Sequence, residues 1–407
     1  MPTRDDRHAR AVAAYRAGSL GEAERAALAL HREAPGFAGS CWLLGVIAHD
    51  CAEYDAAERW LGRAAALAPA DAECLNSHGR ALWSLRRFAD AAERHRAALA
   101  LSPGFALAHL NLAEALLAMG RFDEGWREYE WRFRLPETTG YFAHLALPEW
   151  TGGLVAGAKL LVMGDQGFGD VFHFARYVPM LVQRGIKVVL GCAPDVAPLL
   201  SRLKGIRVAT AVEQIGAVDG YLPLTHLPML LGTTLETIPA RVPYLAADPA
   251  RVDAWRARLA HLPGLRVGLA WAGRPVPPGR SIPFAMLRPL LDIEGASFVA
   301  LQKGPEAAEA EGALDILDPL LTDFGETAAA IAALDLVLCI DSAVAHLAGA
   351  LGVPAWVMLN SACDWRWMTA ADSCPWYPGM RLFRQRRTGR WRGVVTEVAT
   401  ALARVPQ

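Results

Sequence analysis

One stretch of the sequence combines glycine and acidic residues in an arrangement suited to ligand binding. Residues 164–170 read Gly-Asp-Gln-Gly-Phe-Gly-Asp and follow a short apolar run. Glycines at such a point permit a tight turn and a close approach of the backbone to a ligand. Their order differs from the dinucleotide fingerprint, and no suitably placed acidic residue follows, which argues against a nicotinamide or flavin site. Asp170 lies where the next helix begins, so its carboxylate either caps that helix or faces a ligand.

A second stretch begins with Asp341 at the end of a predicted strand, and a helix follows at once. The N–H groups of Ser342, Ala343 and Val344 would form an anion site at the positive end of that helix. Asp341 would accept hydrogen bonds from sugar hydroxyls, and His346 lies one turn further on. A capping aspartate and a core histidine are the alternative, but their combination favours a phosphate-bearing ligand.

Two cations follow neighbouring predicted strands. Arg280 precedes a helix and could offer a fork of donors to phosphate oxygens. Lys303 follows the next strand, where it could reach the same place. Considered alone, each of these two residues could equally be a solvated cation on the protein surface.

Short apolar runs alternate with amphipathic ones from about residue 158, the pattern of parallel α/β structure. A helix is predicted over 171–183. In open α/β sheets the loops beyond the carboxyl ends of the strands bind ligands, and the three stretches above are such loops. The predicted strands are 159–163, 188–191, 207–209, 266–271, 298–301, 336–340 and 355–359.

The first third of the chain repeats every 34 residues. Small residues recur where two helices would touch, an aromatic follows, and a proline closes each unit. The columns are Ala11, Gly45, Gly79 and Ala113; Leu20, Tyr54, Phe88 and Phe122; Ala23, Ala57, Ala91 and Gly125; and Pro35, Pro69 and Pro103. This period resembles the tetratricopeptide repeat, whose stacked units bury a continuous core and bind other proteins.

Composition narrows the function classes. The chain has 407 residues, 53% hydrophobic, with 41 basic and 42 acidic side chains. This balance argues against disorder and against a nucleic-acid-binding surface. Seven scattered cysteines fit a reducing compartment, and the N-terminus lacks the apolar core of a signal peptide. We therefore expect a cytoplasmic protein with no membrane span.

The α/β part resembles the heptosyltransferase-like glycosyltransferases (family 9 type), and the whole chain resembles bacterial proteins that fuse tetratricopeptide repeats to such a domain. The motifs that carry the resemblance are 167–170 with 174–177, 267–273, 280–283, 301–304, 341–347, 364–367, 375–378 and 381–385.

The resemblance implies a helical tetratricopeptide-repeat array followed by a GT-B pair of Rossmann-like lobes. We predict the array over 1–137, with three full repeats and a partial fourth. The N-terminal, acceptor-side lobe is predicted over 138–250, and the C-terminal, donor-side lobe over 251–407.

The resemblance also implies chemistry. Asp170 would be the base that deprotonates the acceptor in an inverting displacement. Arg280, Lys303 and the 341–346 helix start would hold a nucleotide-sugar donor, with Ala343 standing where heptosyltransferases usually carry glycine. No Asp-x-Asp pair occurs, so we expect no metal and no further cofactor. Residues expected to line the substrate cleft are Gln166, Gly167, Gly169, Asp364, Arg366, Trp376, Tyr377 and Arg384.

The leading interpretation is thus a glycosyltransferase whose repeats recruit a protein acceptor, for example flagellin. A non-catalytic adaptor with a degenerate transferase domain is the alternative. A transferase of the protein O-GlcNAc type shares the architecture but matches the motifs less well.

Overall fold

The computed structural model describes residues 2–151, 153–275, 279–369 and 372–405, and these form two compact units. The first unit extends to Thr139 and also includes Asp364–Thr369. The second comprises the rest of the described chain.

The described residues of the first unit form four pairs of helices. The first helices of successive pairs begin 34 residues apart, and so do the second helices. In three pairs the second helix begins at the aromatic residue of the repeat, and these rings are buried. The helices are α1 (Arg4–Arg16), α2 (Leu20–Glu33), α3 (Ala38–Asp50), α4 (Tyr54–Leu67), α5 (Ala72–Ser84), α6 (Phe88–Leu101), α7 (Ala106–Ala118) and α8 (Phe122–Tyr129).

Small residues let the two helices of a pair touch, as the spacing predicts. A Cβ on Gly79 would lie 2.5 Å from Cε1 of His95, and one on Gly45 would collide with Leu61. Larger side chains at these positions would therefore push the paired helices apart.

Hydrogen bonds at a spacing of 35 residues join the first helices of successive pairs. The Trp42 indole donates to Ser77 Oγ at 3.0 Å, and the Asn111 amide donates to Asn76 Oδ1 at 2.9 Å. Such bonds satisfy polar groups that stacking would otherwise bury unpaired.

The last helix pair carries an aromatic cluster that includes a sequence-distant residue. Trp365 is 2% exposed, and its ring centroid lies 5.3 Å from that of Trp126 and 6.1 Å from that of Tyr129. Both contacts are edge-to-face, a favourable arrangement for aromatic rings. This cluster explains why Asp364–Thr369 belongs to the first unit.

The second unit begins with a four-stranded parallel sheet in the order β3-β2-β1-β4. Its strands are β1 (Lys159–Met163), β2 (Lys187–Gly191), β3 (Ile206–Ala209) and β4 (Gly220–Pro223). Its helices are α9 (Phe168–Phe174), α10 (Val178–Gln183), α11 (Ala197–Leu200) and α12 (Leu227–Leu230).

The helix predicted over 171–183 is interrupted. A 3₁₀ turn, Ala175–Tyr177, separates α9 from α10. Pro179 lies in the first turn of α10, where its missing N–H costs nothing, whereas a continuous helix would place it in the interior.

A second parallel sheet follows in the order β10-β9-β8-β5-β6-β7. Its strands are β5 (Leu265–Ala270), β6 (Ala296–Ala300), β7 (Asp315–Ile316), β8 (Leu336–Ile340), β9 (Ala355–Leu359) and β10 (Met380–Arg384). The accompanying helices are α13 (Pro249–Arg258), α14 (Phe284–Leu291), α15 (Phe324–Ala332), α16 (Ala343–Leu351) and α17 (Trp391–Leu402).

The core of this second sheet joins strand residues to two helices. Val267 and Leu338 contribute from the strands, Leu287 from α14 and Val398 from α17, all fully buried. Among the described residues, no helix is long and apolar enough to cross a membrane.

Candidate functional site

Both sheets reverse their strand order beside their first strand, and the candidate residues follow the strands at that point. In the second sheet β5 neighbours β8, with β6 and β9 on the outer sides. In the first sheet β1 likewise neighbours β4. Ligands of doubly wound sheets bind beyond the carboxyl ends of such strands. Asp170 follows β1, Arg280 lies in the segment after β5, and Asp341 directly follows β8.

The turn after β1 is held by its own acidic residues. Asp165 is buried and accepts hydrogen bonds from Thr225, from the backbone N–H at 3.1 Å and from Oγ1 at 2.6 Å. Asp170 Oδ2 accepts from the Gly167 N–H at 3.0 Å, which caps the start of α9. Exposed Gln166 adopts a positive φ of 68° between them. The Asp170 carboxylate therefore has the capping role that its position suggested.

Gly169 brings the start of α9 against the start of α16. A Cβ at Gly169 would lie 2.9 Å from His346 Cδ2 and 3.4 Å from the Ala343 Cα. Only a residue without a side chain fits at this distance without displacing a neighbour. The turn that carries Asp170 and the helix start that carries His346 are thus brought together.

The segment after β5 is anchored near the same point. Gln302 Oε1 accepts from the Trp271 and Ala272 N–H groups at 3.0 and 2.8 Å. A Cβ on Gly273 would lie 3.6 Å from both Arg280 Cδ and Ile340 Cδ1, at the end of β8. Arg280 and the end of β8 therefore meet at this glycine.

The start of α16 leaves polar groups available. Ser342 precedes the helix with extended backbone, and its Oγ is buried without a hydrogen-bond partner in the described part of the chain. The first N–H groups of a helix have no acceptor within it. Asp341, 8% exposed, precedes this residue, and Ala343 and Val344 begin the helix.

Two of the predicted basic residues have other contacts. Lys303 Nζ donates to the Leu321 carbonyl at 2.6 Å and lies 3.2 Å from Asp318 Oδ1. Arg384 ends β10, at the edge of the sheet, and its Nη1 lies 3.3 Å from Cys363 Sγ. The structure thus places Lys303 in an ion pair and Arg384 three strands from β5.

Tyr377 connects two buried histidines. Its hydroxyl lies 3.0 Å from His346 Nδ1 and 3.1 Å from His173 Nδ1. Burial raises the pKa of Tyr377 well above its usual value, so this hydroxyl keeps its proton at neutral pH. The fully buried Trp376 packs edge-to-face on His173 at 4.6 Å.

A buried arginine supports this cluster. Arg176 is 3% exposed, and its Nη1 donates to the Trp376 carbonyl at 2.8 Å. Its guanidinium lies 4.5 Å from the Tyr377 ring centroid and 4.8 Å from that of Tyr244. Aromatic faces stabilise such a cation. Arg176 therefore fixes both rings around the histidine pair.

Asp364 and Arg366, which the sequence analysis predicts to line the substrate cleft, are grouped with the repeats in the structure. Both lie in the first unit, where Arg366 Nη1 bonds both Asp364 carboxylate oxygens at 2.9 and 3.1 Å. Burial, and then Asp364, raises the pKa of Glu114 on α7 to about 7. Asp364 and Arg366 are grouped with the repeats because Trp365, which lies between them in the sequence, packs in the aromatic cluster of the last repeat.

Sequence reasoning missed His173, Tyr244 and Arg274. A Cβ on Gly167 would lie 3.9 Å from Arg274 Nη2, so Arg274 approaches the turn after β1. The position of Arg274 after a strand end was a usable signal, whereas the histidine contacts join residues distant in sequence.

Among the described residues, no three His, Cys, Asp or Glu side chains lie close enough together to hold a metal ion.

Comparison with known proteins identifies the repeats. Residues 82–125 match a tetratricopeptide-repeat family model. The chain is 32% identical over 337 residues to Protein FlbA of Caulobacter vibrioides, covering 74% of this chain and 56% of that protein. The chain therefore spans little more than half the length of this curated relative.

Solved structures of MamA also match. One is 20% identical with a TM-score of 0.30, covering 35% of this chain and 81% of the MamA chain. Another is 19% identical with a TM-score of 0.30, covering 34% and 76%. From the family model and the 34-residue spacing together, the first unit is a tetratricopeptide-repeat array, followed by an α/β unit with parallel sheets.

Proposed function

We propose that the second unit is a glycosyltransferase of the GT-B type that transfers a sugar from a nucleotide-sugar donor. The observation that carries the proposal is the close approach at Gly169. It joins the turn of Asp170 to the helix start of Ser342 and His346. The two switch points of the sheets supply the cleft in which such folds bind ligands.

Each residue in the cleft has a distinct role in this proposal. Asp170 takes the proton of the acceptor hydroxyl as that oxygen attacks the anomeric carbon, and the bond to the nucleotide breaks with inversion. Arg280 and the N–H groups at the start of α16 stabilise the negative charge on the departing diphosphate. In this proposal the arginine side chain and the backbone amides stabilise the diphosphate charge that a bound metal ion stabilises in metal-dependent enzymes.

We further propose that the acceptor is a protein recruited by the repeat array. Arrays of this kind bind partners along an extended surface, and flagellin is one substrate to test. Arg280 and Arg274 supply positive charge after β5, which suits a diphosphate-containing donor.

A panel of UDP-, GDP-, ADP- and CMP-linked sugars tests the donor site by thermal shift, because a ligand of the native state raises the melting temperature. Transfer is then followed by intact mass spectrometry of the acceptor. Asp170→Asn keeps an oxygen that can accept from the Gly167 N–H, so it removes the base while preserving the cap. We expect donor binding to persist and transfer to fall by at least about 100-fold.

Asp248→Asn is the matched control. Asp248 caps α13 by accepting from the Ala250 and Arg251 N–H groups at 3.0 and 3.2 Å. It therefore resembles Asp170 in capping but lies outside the proposed cleft. Equal losses of transfer in both variants would contradict the catalytic role of Asp170.

One observation favours the adaptor alternative. The Asp170 carboxylate already accepts from the Gly167 N–H, so a purely structural role explains its position. An adaptor would bind none of the nucleotide sugars and would lose stability, not transfer, on changes at Asp170.

A further inference from the structure

The turn that leads into α17, residues 386–392, carries four exposed arginines. Arg386 Nη2 lies 3.4 Å from a carboxylate oxygen of Glu397. The other three form no hydrogen bond and no ion pair within the part of the chain that the structure describes: Arg387, Arg390 and Arg392. The donor site proposed above uses none of these arginines.

The arginines stand at the end of α17 where positive charge is least favourable. The N-terminus of a helix carries a partial positive charge, so anions stabilise it and cations destabilise it. Arg390 directly precedes α17, and Arg392 is its second residue. The first turn contains no acidic residue, and no described side chain caps it. A bound anion would relieve this repulsion and accept from the first N–H groups of the helix.

A buried amide lies beside the same turn. Gln385 directly follows β10 and is 4% exposed. Its Oε1 accepts from the Ser361 N–H at 3.4 Å, and the Ser361 hydroxyl lies 2.8 Å from that of Thr388 in the turn. The Nε2 atom of this amide is buried and has no hydrogen-bond partner among the described residues. Such an unused buried donor is costly unless a ligand accepts from it.

The polar side-chain groups that remain free in this cluster are all donors. One proton suffices for the bond between the Ser361 and Thr388 hydroxyls, so the other stays available to a further acceptor. The Gln385 amide nitrogen and the guanidinium groups also only donate. A ligand that satisfies them must accept several hydrogen bonds and carry negative charge. A phosphate group does both, and the fork of a guanidinium matches its oxygens.

The cluster is separate from the proposed donor site. Ser361 and Gln385 follow the carboxyl ends of β9 and β10, whereas Arg280 follows β5. In the strand order β10-β9-β8-β5, three strand spacings, or about 14 Å, separate the ends of β10 and β5. Ser361 and Thr388 are half-buried, so a ligand can approach them from solvent.

We propose that the start of α17 binds a phosphate monoester group, carried by a soluble molecule or by a lipid headgroup. The side chains that hold this group are those of Ser361, Gln385, Arg387, Thr388, Arg390 and Arg392. The site does not depend on the proposed transferase activity, because it uses neither Arg280 nor the start of α16.

Calorimetric titration of the full chain with inorganic phosphate tests the site. The titrations use the Arg280→Ala background, which removes the cation of the proposed donor site. We expect phosphate to bind in this background and Arg390→Ala to weaken it by about 10- to 100-fold, the loss of charge-assisted hydrogen bonds. Arg404→Ala is the matched control, because Arg404 is an exposed arginine beyond the other end of α17.

The control should bind phosphate as its background does. Equal losses in the Arg390→Ala and Arg404→Ala chains would show a general attraction of charge and overturn the proposal. Absence of phosphate binding in the Arg280→Ala background would overturn it as well. Failure of every nucleotide sugar to bind the wild type would refute the proposed function and leave this site standing.

Gln385→Glu tests the buried donor independently of the arginines. The substitution keeps an oxygen that can accept from the Ser361 N–H and replaces the Nε2 donor by a second oxygen. We expect it to weaken phosphate binding by at least about 10-fold, since the carboxylate repels the ligand. The arginines and the start of α17 would stabilise that carboxylate, so the melting temperature should not fall. A marked fall, or unchanged phosphate binding, would overturn the proposal.

Vesicles distinguish the two sources of the phosphate group. The full chain is sedimented with phosphatidylcholine vesicles that contain or lack phosphatidic acid. Sedimentation that requires phosphatidic acid and is lost in Arg390→Ala but not in Arg404→Ala supports a lipid headgroup. Binding of inorganic phosphate without sedimentation supports a soluble ligand. Sedimentation that falls equally in both variants would contradict a specific site at the start of α17.

Discussion

Replacing Gly169 by alanine tests the contact between α9 and α16 with a single added atom. The new Cβ would lie 2.9 Å from His346 Cδ2 and 3.4 Å from the Ala343 Cα. Tyr377 and the surrounding packing hold the imidazole, so it cannot swing aside freely. Overpacking of this kind costs about 1–3 kcal/mol, while alanine recovers up to about 1 kcal/mol of helix propensity. We expect a net loss of about 1–2 kcal/mol.

Differential scanning calorimetry of the full chain measures this loss. For a unit of this size, 1 kcal/mol corresponds to about 2–4 °C, so the transition of the second unit should fall by about 2–8 °C. Gly393→Ala in α17 is the control, because nothing lies within 4 Å of its added Cβ. It should stabilise the same unit by about 0.5–1 kcal/mol.

Ligand binding provides a second readout of the same substitution. Displacing His346 and Ala343 should weaken nucleotide-sugar binding as well as stability. A Gly169→Ala variant that melts at or above the wild-type temperature and binds the donor normally would refute the contact and the site built on it.

Three further predictions concern single side chains. Arg280→Ala should weaken binding of both nucleotide sugar and pyrophosphate by about 10- to 100-fold, the loss of a charge-assisted hydrogen bond; unchanged titrations would exclude it from the donor site. Trp365→Ala should destabilise the first unit by about 3–5 kcal/mol, because the ring is 2% exposed among aromatic partners; an unchanged melting transition would contradict this packing. The raised pKa of Glu114, about 7, means that the folded state binds the proton more tightly than the unfolded chain. The free energy of unfolding of the first unit should therefore fall as pH rises from about 5 to about 8. Urea unfolding at these two pH values measures the fall, and Glu114→Gln should abolish it. A wild type equally stable at both would contradict the burial of this carboxyl.

Local signals predicted much of the architecture. The strands over 159–163, 336–340 and 355–359 are found with the predicted bounds, because each is a short apolar run followed by polar or glycine-containing turns. The 34-residue spacing likewise located the helix pairs. By contrast, β10 was not predicted as a strand, since Arg381 and Arg384 interrupt its apolar pattern.

Contacts between distant residues could not be predicted in this way. His173 and Tyr377 lie 204 residues apart, and neither shows a local pattern that names the other. The packing of Trp365 on the last repeat could not be predicted for the same reason, because its partner ring, Trp126, is distant from it in the sequence. Arg274 was within reach of sequence reasoning, since it follows a strand at the switch point, but an exposed arginine carries no distinguishing signal by itself.

The central claim is that the cleft around Gly169 binds a nucleotide sugar and transfers its sugar with Asp170 as base. The most direct measurement is intact mass spectrometry of a protein acceptor incubated with the chain and the nucleotide sugar that binds it. The wild type and Asp248→Asn should add the mass of one or more sugars, and Asp170→Asn should add almost none while still binding the donor. Equal transfer by Asp170→Asn and the wild type would contradict the claim, as would no transfer by any form.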